Sequence, residues 1–185
     1  MRRLSEEEGK LIRLSAEIVT RANQDEAKLF YAAVGEGISR WAAMEEMLVH
    51  ILAKLLKTPI NKAGLVGYST SFYGLVQVID DLFVVDGTYA KSMKMWRRTV
   101  STLRRENDVR VQLAHQSLHR NGLEVAVVGF AKAYLRPSPL DTRSKSRKST
   151  ALDEEGIREF ISRVNALHQR LKEILAQMKK RRVSR

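Results

Sequence analysis

Residues 34–55 read VGEGISRWAAMEEMLVHILAKL. Within them Val34, Ile38, Trp41, Leu48, Leu52 and Leu55 recur at alternating three- and four-residue steps, the spacing of one helix face. The pattern predicts a long helix from about Asp25 to Lys57. Thr58-Pro59 ends it, because the residue before a proline avoids helical angles. Upstream, Ser5-x-x-Glu8 resembles a capping box and opens a weaker amphipathic helix to about Arg21, with Asn23 and Asp25 marking a break. Downstream, Asn61 can cap a helix whose core residues are Leu65, Phe72, Leu75, Val76, Ile79 and Phe83. Asp86-Gly87 then makes a turn. A third helix spans about Thr88 to Ala114 on Trp96, Val100 and Leu103.

After Ala114 the period changes. Two short runs, 116–120 and 123–128, flank Asn121-Gly122, a pair that favours tight hairpin turns. Phe130–Leu135 adds a third extended segment. Pro137 and Pro139 end regular structure, and 136–150 reads as a flexible basic loop. Asp153 can cap a last helix over about 154–180, and Glu154 and Glu155 suit its positive end. Its stripe is Ile157, Phe160, Ile161, Val164, Leu167, Leu171, Leu175 and Met178. The fold class predicted is mainly α: a bundle of four to five helices with a small β-hairpin insert around residues 116–135. Residues 1–24 form an N-terminal helical extension, 25–180 a single bundle domain and 181–185 a basic tail.

Composition narrows the function classes. The chain has 185 residues, 44% of them hydrophobic, enough for a core. It has no cysteine, which excludes disulfides, zinc–thiolate sites and a thiol nucleophile. No stretch reaches the roughly 18–20 apolar residues of a membrane span. The start, Met1-Arg2-Arg3-Leu4-Ser5, lacks the apolar centre of a signal peptide, so a cytoplasmic location is expected. Formal net charge is +12 and is unevenly spread. Residues 1–90 hold 10 Lys and Arg against 12 Asp and Glu; residues 91–185 hold 23 against 9. Arg104, Arg105 and the run Arg143, Lys145, Arg147, Lys148 are candidate phosphate contacts. Aromatics do not interleave that run, which argues against base stacking there.

Polar residues interrupt two of the stripes. Glu45 falls between Ile38 and Leu52, either buried with a partner or on the stripe's solvated edge. Asn107 and Arg110 continue the face of Trp96, Val100 and Leu103. An Arg110–Glu45 pair holding two helices in register is one reading of both. His115 follows Arg110 by five positions, about 140° around a helix, so the two converge only across a helix end or between two chains. His119 and His168 read as ordinary structural histidines.

Arg110-Val-Gln-Leu-Ala-His115 is similar to the Arg-x4–6-His motif of the HEPN superfamily of small helical bundles. Trp41-x3-Glu45-x2-Leu48 also looks like the first long helix of several of its branches. The resemblance covers about residues 30–120 and the last helix. It implies metal-independent RNA cleavage at a site built from two protomers, in the manner of toxin–antitoxin or defence ribonucleases. His115 would then be the acid/base group, Arg110 would hold the scissile phosphate, and Glu45 and Asn107 would orient them. No metal and no cofactor are called for. RNA is the expected partner, with a second copy of the chain and a protein antitoxin or regulator. Where active members commonly carry a polar residue after the Arg, this chain has Val111. The alternative is a non-catalytic HEPN-like module for nucleic acid, nucleotide or protein. A basic DNA-binding protein would rest on charge alone. A zinc site of His115, His119, Asp80, Asp81 and Asp86 lacks the His-Glu-x-x-His pattern. Gly35-Glu-Gly37 lies inside a helix and lacks the rest of a phosphate-loop fingerprint. Tyr31, Trp41, Met44, Met47 and Ile51 give a broad apolar arc that packs either within the bundle or between protomers, and a homodimer is expected.

Overall fold

A computed structural model describes residues 6–115, 117–120, 133–136 and 152–180. Five helices and three short strands lie among them. The helices are α1 (Glu6–Leu56), α2 (Ile60–Ser69), α3 (Phe72–Asp86), α4 (Ala90–His115) and α5 (Glu154–Lys180). The strands are β1 (Ser117–Arg120), β2 (Ala133–Arg136) and β3 (Leu152–Asp153). No described helix is long and apolar enough to cross a membrane.

The break expected at Asn23 and Asp25 does not occur, and α1 runs unbroken for 51 residues. An isolated Asn or Asp costs only a few tenths of a kcal/mol more than a good helix former, too little to stop a helix without Pro or an adjacent cap. Asp25 also holds Lys28 at 3.0 Å one turn on. The helix ends in a Schellman turn. Thr58 N–H donates to the Ala53 carbonyl at 3.1 Å, and Lys57 N–H to that of Lys54 at 3.4 Å. Lys57 adopts φ 54°, the left-handed region in which glycine is unstrained and a lysine costs about 1 kcal/mol.

One helix was expected between Asn61 and Asp86, and two are present. The hydroxyl run Ser69-Thr70-Ser71 divides them. Ser69 Oγ donates to the Val66 carbonyl at 2.9 Å, Thr70 Oγ1 to that of Gly67 at 3.0 Å, and Ser71 Oγ caps α3 by accepting from Gly74 N–H at 3.1 Å. The division resets the helical phase. Ala63, Gly64 and Gly67 become the buried face of α2, and Leu65, expected in the core, is 76% exposed. Gly87, at φ 57°, closes α3.

The chain divides into two compact units. The first comprises residues 1–35 and 115–157, the second 36–114 and 158–185. In the first, β1 pairs antiparallel with β2 in the register Ser117↔Arg136 to Arg120↔Ala133, and β3 pairs with the other edge of β2. The described partner of β1 is therefore Ala133–Arg136, which overlaps the end of the third extended segment expected at 130–135. The Asn121-Gly122 turn and the 123–128 run lie outside the described residues. Asp153 caps α5 as expected, accepting from Gly156 N–H at 2.9 Å.

The second unit is a helical bundle. Trp41 stacks on Phe160 at 6.2 Å and meets Phe72 at 5.0 Å, while Phe83 meets Trp96 at 5.8 Å. Trp96 Nε1 donates to Asp80 at 3.1 Å. Trp41 Nε1, equally buried, has no hydrogen-bond partner among the described residues. Of the apolar arc on the helix after Asp25, Trp41, Met44 and Ile51 pack inside the bundle, one of the two placements open to it; Tyr31, in the first unit, is exposed. Gly37 lets α1 approach closely, since a Cβ there would sit 3.2 Å from Leu113 Cδ1 and 3.5 Å from Phe160.

Gly35, two residues earlier, meets nothing within 4 Å. Gly35→Ala is therefore expected to stabilise by about 0.5–1 kcal/mol through helix propensity. Gly37→Ala is expected to gain less than Gly35→Ala, because Leu113 must give by a few tenths of an ångström against the same helix-propensity gain. Denaturant melts of the two variants check the order.

Candidate nucleic-acid interface

The inward face of α4 is set by Trp96, Thr99, Leu103 and Leu113, all buried. Counting back from Leu113 by three and four residues reaches Arg110, Glu106, Leu103, Thr99, Trp96 and Ser92. The stripe thus runs through Glu106, and Asn107 stands beside it. Val100 is half-buried and Ala114 exposed, so the stripe lies one position from where Val100 and Ala114 would put it.

Glu106 is fully buried. Its Oε2 accepts from Arg163 Nε on α5 at 3.0 Å, and its Oε1 from Arg105 Nε at 2.9 Å. Arg163 also reaches Glu159 at 3.2 Å. The buried carboxylate of α4 is thus Glu106, paired with the half-buried Arg163 and the exposed Arg105. Among the described residues no hydrogen bond or ion pair joins Arg110 to Glu45. Sequence reasoning passed over Glu106 because it followed the 100–107–114 phase. The three-residue step from Leu103 was the available signal.

Asn107 is buried at 5% exposure, as its place on the stripe implied. Arg110 and Glu45 are half-buried, Glu45 on the edge of its stripe. Among the described residues Arg110 has no ion-pair partner. The helix continues through His115, so no helix end falls between Arg110 and His115. Five residues of regular helix set them about 140° apart on one chain. The geometry therefore does not bring this pair together within a single helix face.

The solvent side of α4 carries Lys91, Lys94, Arg97, Arg98, Arg104 and Arg105, all exposed. The helix has two acids. Glu106 is turned inward, and Asp108 accepts from Tyr73 Oη at 3.0 Å. Arg104 is lightly tethered, its Nη2 lying 3.4 Å from Gln77 Oε1, while Gln77 Nε2 donates to Asp81 at 2.9 Å. Arg143, Lys145, Arg147 and Lys148, the other expected phosphate contacts, lie outside the described residues.

Asp80, Asp81 and Asp86 have the partners Trp96, Gln77 and Lys57 respectively. Among the described residues no group of three His or carboxylate side chains is placed to hold a metal ion. His168 is half-buried on α5. Burial pushes its pKa below the usual 6.5, Lys172 and Arg40 act the same way, and Glu46 opposes them.

Two predictions follow from these groups. Arg163→Ala leaves the Glu106 carboxylate buried with Arg105 alone and is expected to cost about 3 kcal/mol. Arg105→Ala, which removes a largely exposed partner, should cost less than about 1 kcal/mol; chemical denaturation compares them. For His168, the unfolded chain binds the proton more readily than the folded one. Stability contributed by the neutral ring is present above the unfolded value of about 6.5 and is lost as pH falls below it. Thermal melts on acidification should show a smaller fall in Tm for His168→Gln than for wild type.

No family model matches the sequence, and comparison with the curated proteins and with the solved structures returns no match.

Proposed function

We propose that this chain is an RNA-binding helical-bundle protein, HEPN-like in its Arg110–His115 stretch, that lays α4 along the RNA backbone. One observation supports the reading above the others. Six exposed Lys and Arg side chains follow one another along α4; of its two acids, Asp108 is bound to Tyr73, and Glu106 is turned inward to Arg163 with Arg105, the last of the six, beside it. From Lys91 to Arg105 they cover about 21 Å of helix at 1.5 Å per residue. That length suits consecutive phosphates of a strand. Counterion release then supplies most of the affinity.

The catalytic extension of this reading is metal-independent cleavage. The RNA 2′-hydroxyl supplies the nucleophile and attacks the adjacent phosphorus as the 5′-oxygen leaves, giving a cyclic phosphate and a free 5′-hydroxyl. His115 moves the proton, and Arg110 neutralises the charge that builds on the phosphate oxygens. Glu45 and Asn107 orient them. Because the two groups stand about 140° apart on one helix, a homodimer completes the pair, His115 of one copy serving Arg110 of the other. The setting is the cytoplasm, with a protein antitoxin or regulator as a further partner. The same 140° separation favours the second reading, a non-catalytic RNA-binding module, as does Val111, 40% exposed directly after Arg110.

Gel shifts at increasing salt test the binding. Single-stranded RNA affinity should fall with a log–log slope near −0.7 per phosphate contacted, and charge removal at Arg97 and Arg98 should flatten it. A slope near zero would sink the RNA reading. Cleavage assays with chelator present separate the two versions: activity lost in His115→Ala and Arg110→Ala supports the ribonuclease, and inert wild type with intact binding leaves the module.

A further inference from the structure

The second unit holds a pocket of about 400 Å³ at the C-terminal end of α1, lined by His50, Lys54, Lys57, Thr58, Tyr89 and Lys179 among others. Ala53 and Leu175 give it an apolar wall. Tyr89 directly precedes α4, so by helical rise the pocket stands about 30 Å along that helix from Arg110. It is a separate place from the motif.

Its charge is unbalanced. Among the described residues, the ammonium groups of Lys54 and Lys179 have no carboxylate partner. Lys57 has only a loose one, Asp86 at 3.8 Å, and Asp86 also accepts from Thr88 Oγ1. His50 lies 3.9 Å from Glu46. Lysines at the ends of α1 and α5 complement helix dipoles, and that role alone would explain Lys54 and Lys179. It does not explain Lys57. A Schellman turn takes glycine at the left-handed position without strain, yet a lysine stands there and lines the pocket. Strained backbone of this kind clusters at ligand-binding surfaces.

We propose that this pocket binds a phosphate monoester carried on a small ligand. Lys54, Lys57 and Lys179 would take the dianion, the Thr58 hydroxyl would add a hydrogen bond, and Tyr89 with Leu175 would cover the ligand's apolar part. The volume suits a single-ring monoester. The phosphate has two sources, a free small molecule or the phosphorylated 5′ end of an RNA, and the chemistry is shared. This proposal stands apart from the α4 reading, since none of the six α4 cations lines the pocket.

Calorimetric titration of the full chain with phenyl phosphate, with inorganic phosphate as competitor, is the test. Saturable binding competed by phosphate is expected. Lys54→Ala and Lys179→Ala should each weaken it about tenfold, as expected for a lost charge-assisted hydrogen bond, and Lys62→Ala, outside the pocket, should not. Lys57→Gly should raise Tm while weakening binding; a purely structural lysine would leave binding unchanged. A 5′-phosphorylated oligoribonucleotide against its 5′-hydroxyl counterpart distinguishes the sources. Lysine-dependent preference for the phosphorylated end alone keeps the proposal with RNA as the source. No saturable binding of any phosphate, or binding indifferent to all three lysines, overturns it, whatever the α4 variants do to RNA gel shifts.

Discussion

A carboxylate that water does not reach needs partners within hydrogen-bond distance, and Glu106 has two, Arg163 and Arg105. That requirement fixes the rotation of α4 about its own axis. With Glu106 turned to α5, Trp96, Thr99, Leu103 and Leu113 all face inward, and the cations from Lys91 to Arg104 lie on the solvent side. Buried pairs of this kind add little net stability relative to apolar residues of the same volume. Their value is directional. A slip of one residue in α4 would carry a charged group into the place of Leu103 or bury an arginine unpaired.

The second unit therefore keeps its two cationic surfaces on different supports. The α4 ridge is a linear array on a regular helix, suited to a repeating polyanion. The pocket gathers lysines from the last turn of α1, its left-handed cap and the last turn of α5 into a concavity, suited to one compact anion. Charge alone, read as a total of +12, does not distinguish these geometries.

Much of this was legible in the residues. The apolar stripes of the helix after Asp25 and of α5 transferred in large part, because Trp41, Leu48, Leu52, Phe160, Val164 and Leu171 recur at helical spacing and are all buried; Ile38, placed on the first stripe, is 41% exposed, and Val34 and Ile161 are half-buried. The cap at Asp153 was readable because its side chain is one of the few that satisfy a helix N-terminus. What escaped was set by competition among weak terms. Asn23 and Asp25 yielded to a long helix, whereas three successive hydroxyls, each bonding a nearby backbone group, broke one that looked continuous. On α4, Trp96, Leu103 and Asn107 are buried as the stripe implies, but Thr99 and Leu113 take the inward places of Val100 and Ala114, because Val100 and Thr99 both suit an inward position. Only the partner on α5 decides between them, and a single helix does not carry that information. The left-handed backbone at Lys57 has no signature in the sequence at all.

The unpartnered indole of Trp41 has an optical counterpart. The chain contains two tryptophans, both buried and both in the second unit. One donates its N–H to a carboxylate and the other to no described group. Near-ultraviolet excitation thus sees the bundle of residues 36–114 and 158–185 through two chromophores in unlike polar surroundings. The unit of residues 1–35 and 115–157 contributes no tryptophan signal. An unfolding curve followed by tryptophan emission reports the bundle alone. Its comparison with far-ultraviolet ellipticity, which registers every helix, measures directly whether the two units melt together.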